Sequence, residues 1–191
     1  MQPWVWVVIA VCAVAIIVLV IAAAREQQRR AQLRQTFGPE YERVMRERGD
    51  RRAAEHELAG RYERRQQLDI RPLSTEQRDA YGGEWNDVQA RFVDMPADAV
   101  RDADSLLSRV MRERGYPVAD FEQRAADVSV DHPGVVDNYR RAQAISQRSA
   151  AGQASTEDLR QAMVHYRSLF IDLLSPGDTP ATTGGERRST A

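Results

Sequence analysis

Hydrophobic and polar positions follow two different rhythms along this chain. From Trp4 to Ala24 the sequence reads WVWVVIAVCAVAIIVLVIAAA and carries no charge. As a helix it would extend about 31 Å, close to the ~30 Å hydrocarbon thickness of a bilayer. Trp4 and Trp6 stand at one end, where aromatic rings favour the membrane interface. This predicts a transmembrane helix over 4–24.

Beyond Ala24 the apolar positions become sparse and periodic. Tyr41, Val44, Met45, Ala54, Leu58, Tyr62 and Leu68 form a thin stripe among Arg, Glu and Gln. Pro39 suits a helical first turn, and Gly49-Asp50 is a weak point. The stretch 25–70 reads as an arginine-rich helical stalk, either solvated or half of a coiled coil, with a stripe too irregular for sustained heptads.

The stretch 71–174 predicts a small helical bundle, and no strand or hairpin pattern occurs. Pro72 ends the stalk, and Ser74 with Gln77 forms a capping box for a helix bearing Tyr81, Trp85, Val88 and Phe92 on one face. Gly82-Gly83 weakens its first turns by ~1 kcal/mol each relative to alanine. Asp94 is the expected cap of the next helix, whose face is Val100, Ala103, Leu107, Val110 and Met111 and which stops at Gly115. Phe121, Ala125 and Val128 mark a shorter helix. Val135, Val136, Tyr139, Ala142 and Ile145 mark another. Ser155 or Thr156 caps the last, which buries Leu159, Ala162, Met163, Tyr166, Leu169, Phe170 and Leu173. Residues 175–191, rich in Pro, Gly, Thr and Ser, read as a disordered tail. The fold class is therefore all-α.

Charge adds an orientation. The formal net charge is −1, which argues against a polycation built for nucleic acid. That total hides twelve Arg against eight acids from Arg25 to Arg65, and thirteen against seventeen from Arg71 to Asp172. Arg25, Arg29, Arg30 and Arg34 follow the apolar run and would face anionic lipid headgroups, against Glu26. The positive-inside rule then places the body in the cytoplasm, with a body outside the cytoplasm as the alternative. A cleaved signal peptide ending at Ala22-Ala23-Ala24 is the competing reading of the run. It lacks the basic residues that precede such a peptide.

Composition also removes chemistry. Every Lys+Arg position is arginine, so neither a Schiff-base lysine nor a phosphate-loop lysine exists, and the arginine bias fits a high-GC bacterial genome. One cysteine, Cys12, cannot form an intrachain disulfide or a cysteine-based zinc site. No cofactor or metal is expected.

The stretches FGPEYERV, LDIRPLS, RFVD, RGYP, DFEQRAADVSVDHP and STEDLRQAMVHYRSLF resemble a family of small single-pass bacterial proteins, usually described as hypothetical, secreted or membrane proteins. The resemblance covers residues 37–174 and implies no activity or catalytic residue.

The one enzyme-like stretch is VSVDHPG. His132 as a general base, oriented by Asp131 or Asp127, is the catalytic reading. In the structural reading Asp131 caps a helix that begins at Pro133, with Val130 and Val135 flanking the turn. Among the other motifs, His165 reads as a bundle-edge histidine bonded to a carboxylate, and His56 as solvated. Arg124, Arg140 and Arg141 would pair with Asp120, Glu122, Asp127 or Asp137. The expectation is a membrane-tethered interaction module with a membrane-associated protein partner. Its rivals are a membrane-anchored hydrolase using His132 and an exported cell-envelope protein.

Overall fold

The computed structural model describes residues 3–175, with side chains from Ile16 onward except at positions 22, 26, 29 and 30. The described residues form eight α-helices and no strand. They divide into two compact units, 1–59 and 60–191. The expected tail over 176–191 lies outside the described residues.

The first unit holds α1 (Pro3–Phe37), α2 (Pro39–Arg48) and the start of α3 (Arg51–Gln66). Pro39 opens α2, and α2 ends at Gly49, whose φ of 64° lies in the left-handed region that glycine adopts without strain. Among the described residues no helix is long and apolar enough to cross a membrane. The apolar run lies mainly on positions whose side chains are outside the described set, as does most of the anchor expected over 4–24.

The stretch expected as a stalk over 25–70 is not solvated all round. Phe37, Tyr41, Val44, Ala54 and Leu58 are buried to 1% exposure or less. The break at Gly49 also denies a continuous seam. The Tyr41 hydroxyl donates to Glu55 Oε1 at 3.1 Å, and Arg51 pairs with the same oxygen at 3.0 Å. Arg34 lies over the Tyr41 ring, 5.3 Å from its centroid.

The second unit takes the end of α3, then α4 (Thr75–Arg91), α5 (Pro96–Arg114), α6 (Phe121–Asp131), α7 (Val136–Ala150) and α8 (Thr156–Leu174). Helix α8 packs on α7 and α5, α5 also on α4 and α7, and α6 on α7. The core gathers Trp85 and Val88 from α4, the expected α5 face with Leu106, and Val136, Tyr139 and Ala142 from α7. All seven residues expected on the inner face of α8 are buried. Trp85 stacks on Phe170 with centroids 4.7 Å apart, so the aromatic face of α4 is core.

Helix starts follow local chemistry with two exceptions. Ser74 and Gln77 form the expected reciprocal box, and Ser155 forms one with Asp158. Asp94 does not cap α5. Met95 occupies that position without a side-chain bond, and Pro96 begins the helix with its missing N–H at no loss. Asp131 does not cap α7 either; it is the last residue of α6. Pro133 disfavours helical geometry at His132, so its effect falls on the end of α6 instead.

Gly82 and Gly83 sit inside α4 with helical backbone and no neighbour within 4 Å of an added Cβ. Changing each to alanine is expected to stabilise the bundle by about 1 kcal/mol. Urea unfolding of the single and double variants checks this, with roughly additive gains expected.

Candidate functional site

The chemistry-bearing residues of VSVDHPG enter a buried polar cluster assembled from distant parts of the chain. His132 is the C-cap of α6, and its side chain is fully enclosed. Its Nδ1 lies 2.6 Å from Asp172 Oδ2, near the end of α8. Its Nε2 is 3.4 Å from Arg114 Nη1 at the end of α5. Arginine only donates, so this contact makes Nε2 the acceptor and leaves the Nδ1 proton for Asp172. Arg114, 2% exposed, also donates from Nη1 to the Leu173 carbonyl at 2.9 Å, at the negative end of α8.

Neither carboxylate expected to orient His132 does so. Asp131 Oδ2 accepts from the Tyr116 hydroxyl at 2.5 Å and pairs with Arg65 from α3. Asp127 accepts from Gln123 at 2.8 Å and lies 3.6 Å from Arg64. Asp172 is the residue that the sequence reading missed. Its signal was an acid among apolar neighbours in the last turn of a helix, where the helix dipole opposes it.

Arg114, Arg61 and Arg65 were also missed. Arg114 continues the face of Leu107, Val110 and Met111 by one helical turn. Arg61 and Arg65 likewise continue the Ala54 and Leu58 face. All three are buried.

A second polar group lies between α5, α6, α7 and α8. Arg124 donates to Ser108 Oγ at 2.8 Å and stands over the rings of Phe121 and Tyr139. The carboxyl on which the charge of Arg124 acts is that of Asp104, not one of those expected for it. Arg141 does pair with Asp137, at 2.8 Å. Tyr166 donates to Gln143 Oε1 at 3.2 Å. Burial pushes the Tyr139 and Tyr166 hydroxyls well above the usual phenol range.

His165 is half-buried on α8 and, among the described residues, bonds no carboxylate. Burial first, then Arg141, lowers its pKa, while Asp137 opposes them. His56 is exposed. No group of three or more His, Cys, Asp or Glu able to hold a metal occurs among the described residues.

General-base catalysis needs a ring nitrogen directed at a substrate. The His132 ring is fully enclosed, and both of its nitrogens face protein groups. The arrangement joins the ends of α5, α6 and α8, which is what a structural strut does.

The two acids of this region give the bundle a characteristic pH response. Burial raises the Asp127 pKa, against Gln123, Arg64 and Arg61. Burial likewise raises that of Asp104, against Arg124 and Tyr166. A carboxyl raised on folding binds its proton more tightly in the native state. Its stabilising contribution is present below the unfolded value and disappears as pH rises through the folded one. The Asp104→Asn variant is therefore expected to gain stability relative to wild type between pH ~3 and ~7. Parallel chemical denaturation across that range checks it, and a constant difference between the two proteins would refute it.

No family model matches the chain, and neither a curated protein nor a solved structure matches it.

Proposed function

We propose that the chain is a bitopic membrane protein whose helical body is a tethered, non-catalytic interaction module. The observation that carries this reading is a girdle of apolar side chains on α1. Ile16, Ile17, Val18, Leu19, Val20 and Ile21 are each 46–67% exposed. Six consecutive helical residues span more than one full turn, so this surface is apolar on every side. A helix apolar all round requires burial, and a lipid environment supplies it. Transfer of each such side chain from water is favourable by ~2 kcal/mol.

The remaining supports come from charge and packing. The apolar run of 4–24 is followed by Arg25, Arg29, Arg30 and Arg34, which favours a cytoplasmic body and contact with anionic headgroups. The enclosed His132 favours a structural role for the polar cluster over hydrolysis. A tether confines the module to the bilayer and raises its effective concentration toward a membrane-associated protein. The resemblance to small single-pass bacterial proteins belongs to the same proposal.

The test is carbonate extraction of membranes containing the full chain, beside a variant lacking residues 2–24. The full chain is expected in the pellet and the truncated chain in the supernatant. Full-length protein in the supernatant would overturn the anchoring. A reporter active only outside the cytoplasm, fused after Ala191, reads the orientation, and no signal is expected.

A further inference from the structure

The segment from Arg61 to Arg71 is attached to the rest of its unit by a different kind of contact from those that hold α4, α5, α7 and α8 together. Arg61 Nη1 donates to Ser129 Oγ at 3.3 Å. Arg64 Nε lies 3.6 Å from Asp127 Oδ1, and Arg65 pairs with Asp131. All three acceptors belong to α6, and Ser129 and Asp127 are at most 2% exposed. Further along, the segment changes from side-chain to backbone contacts. The Arg71 N–H donates to the Arg114 carbonyl at 3.0 Å, and Asp69 and Ile70 lie against Gly115.

The apolar share of this attachment is small. Every fully buried member of the hydrophobic cluster lies between Leu73 and Leu173. The segment adds only Leu68 and Ile70, both partly buried. The core is therefore complete without it. The attachment consists of charges and hydrogen-bonding groups that water can satisfy, and buried ion pairs contribute little net stability because their desolvation offsets their attraction. Such a segment opens locally at lower free energy than the core it covers.

We propose that residues 61–71 form a charge-held strap, which detaches as a unit from α6 and the α5–α6 turn while the bundle core stays folded. Detachment uncovers Ser129, Asp131 and Tyr116. Tyr116 and Asp131 keep each other as partners at 2.5 Å, so opening leaves no orphaned buried group on the bundle side of that pair. On the membrane-tethered reading above, which this consequence rests on, the strap is the piece of chain through which the tether enters the bundle. Its release frees up to roughly 35 Å of extended chain and sets how far the module reaches from its anchor.

Hydrogen exchange of the full chain in detergent micelles tests the strap itself, independently of membrane anchoring. Amides of 62–71 are expected to exchange together, at least tenfold faster than those of α5 and α8. Arg64→Gln combined with Arg65→Gln is expected to accelerate the strap amides by about a further tenfold, with α5, α7 and α8 unchanged. Wild-type strap amides exchanging only at the rate of the α8 core would overturn the proposal. So would acceleration of all amides alike in the double variant. The carbonate extraction reports on the anchor alone, so failure of either idea is visible without the other.

Discussion

Replacing Gly115 by alanine is expected to destabilise the bundle by about 4 kcal/mol. Gly115 ends α5 with φ of 97°, and two of its neighbours depend on that geometry. Its N–H reaches back to the Arg112 and Met111 carbonyls, and Tyr116 N–H bonds the Met111 carbonyl at 2.9 Å. A side chain at this φ is strained by ~1–3 kcal/mol wherever it stands. Here a Cβ would also overlap the Asp69 carbonyl oxygen, with the carbonyl carbon at 3.2 Å. Backbone cannot rotate out of the way as a flexible side chain can. The chain must lift residues 69–71 from the turn and give up the Arg71 to Arg114 bond. Gly49 provides the control: its φ is also positive, but nothing lies within 4 Å of its added Cβ. Gly49→Ala is expected to cost only ~1 kcal/mol. Thermal denaturation separates the two, with a fall of roughly 12 °C for Gly115→Ala and roughly 3 °C for Gly49→Ala. Equal losses would show that the close approach of Asp69 contributes nothing.

Arg114→Met is expected to cost about 3 kcal/mol. Methionine fills similar volume, so the loss comes from hydrogen bonding rather than from a cavity. The Leu173 carbonyl, at a helix end already rich in unpaired acceptors, loses its donor at 2.9 Å. His132 Nε2 loses its contact with the guanidinium. Buried acceptors left without partners carry their full desolvation penalty. Combining Arg114→Met with His132→Leu removes both sides of that contact. The double variant is expected to be more stable than the sum of the single losses predicts, by roughly 1–2 kcal/mol. Urea denaturation of the four proteins in the cycle measures this coupling. Additive losses would mean that His132 and Arg114 act separately.

Much of the bundle was legible because it is written in local terms. The inner face of α8 was fully readable, since apolar side chains at helical spacing must turn toward one side and bury it. The Ser74 box needs only residues three apart, and the stop at Gly115 only a glycine at the end of an apolar face. The misread caps at Asp94 and Asp131 arose where two local signals competed. At Asp94 the nearby Pro96 opened the helix without a side-chain cap, and at Asp131 the nearby Pro133 kept His132 out of helical geometry and so ended α6 instead of starting α7.

The polar cluster obeyed no local rule. Arginine belongs at the surface by default, because removing its charge from water is unfavourable unless partners are provided. Arg65 and Arg114 nevertheless occupy positions that helical spacing assigns to the inner face. Their burial rests on Asp131, Leu173 and His132, which lie 66, 59 and 18 residues away in sequence. The pairing of His132 with Asp172, rather than with adjacent Asp131, has the same origin. Neighbours at the end of a helix point in different directions, while the ends of α6 and α8 meet at His132 and Asp172.

By itself, then, the order of amino acids determined an all-α chain, the inner faces of its bundle helices and most of their boundaries, because those follow from spacing within a few turns. Only the tertiary structure decided which charged residues are enclosed and what holds residues 61–71 against α6. Enclosing a charge is tolerable only when a distant partner arrives at bonding distance, and that distance exists only after the helices have packed.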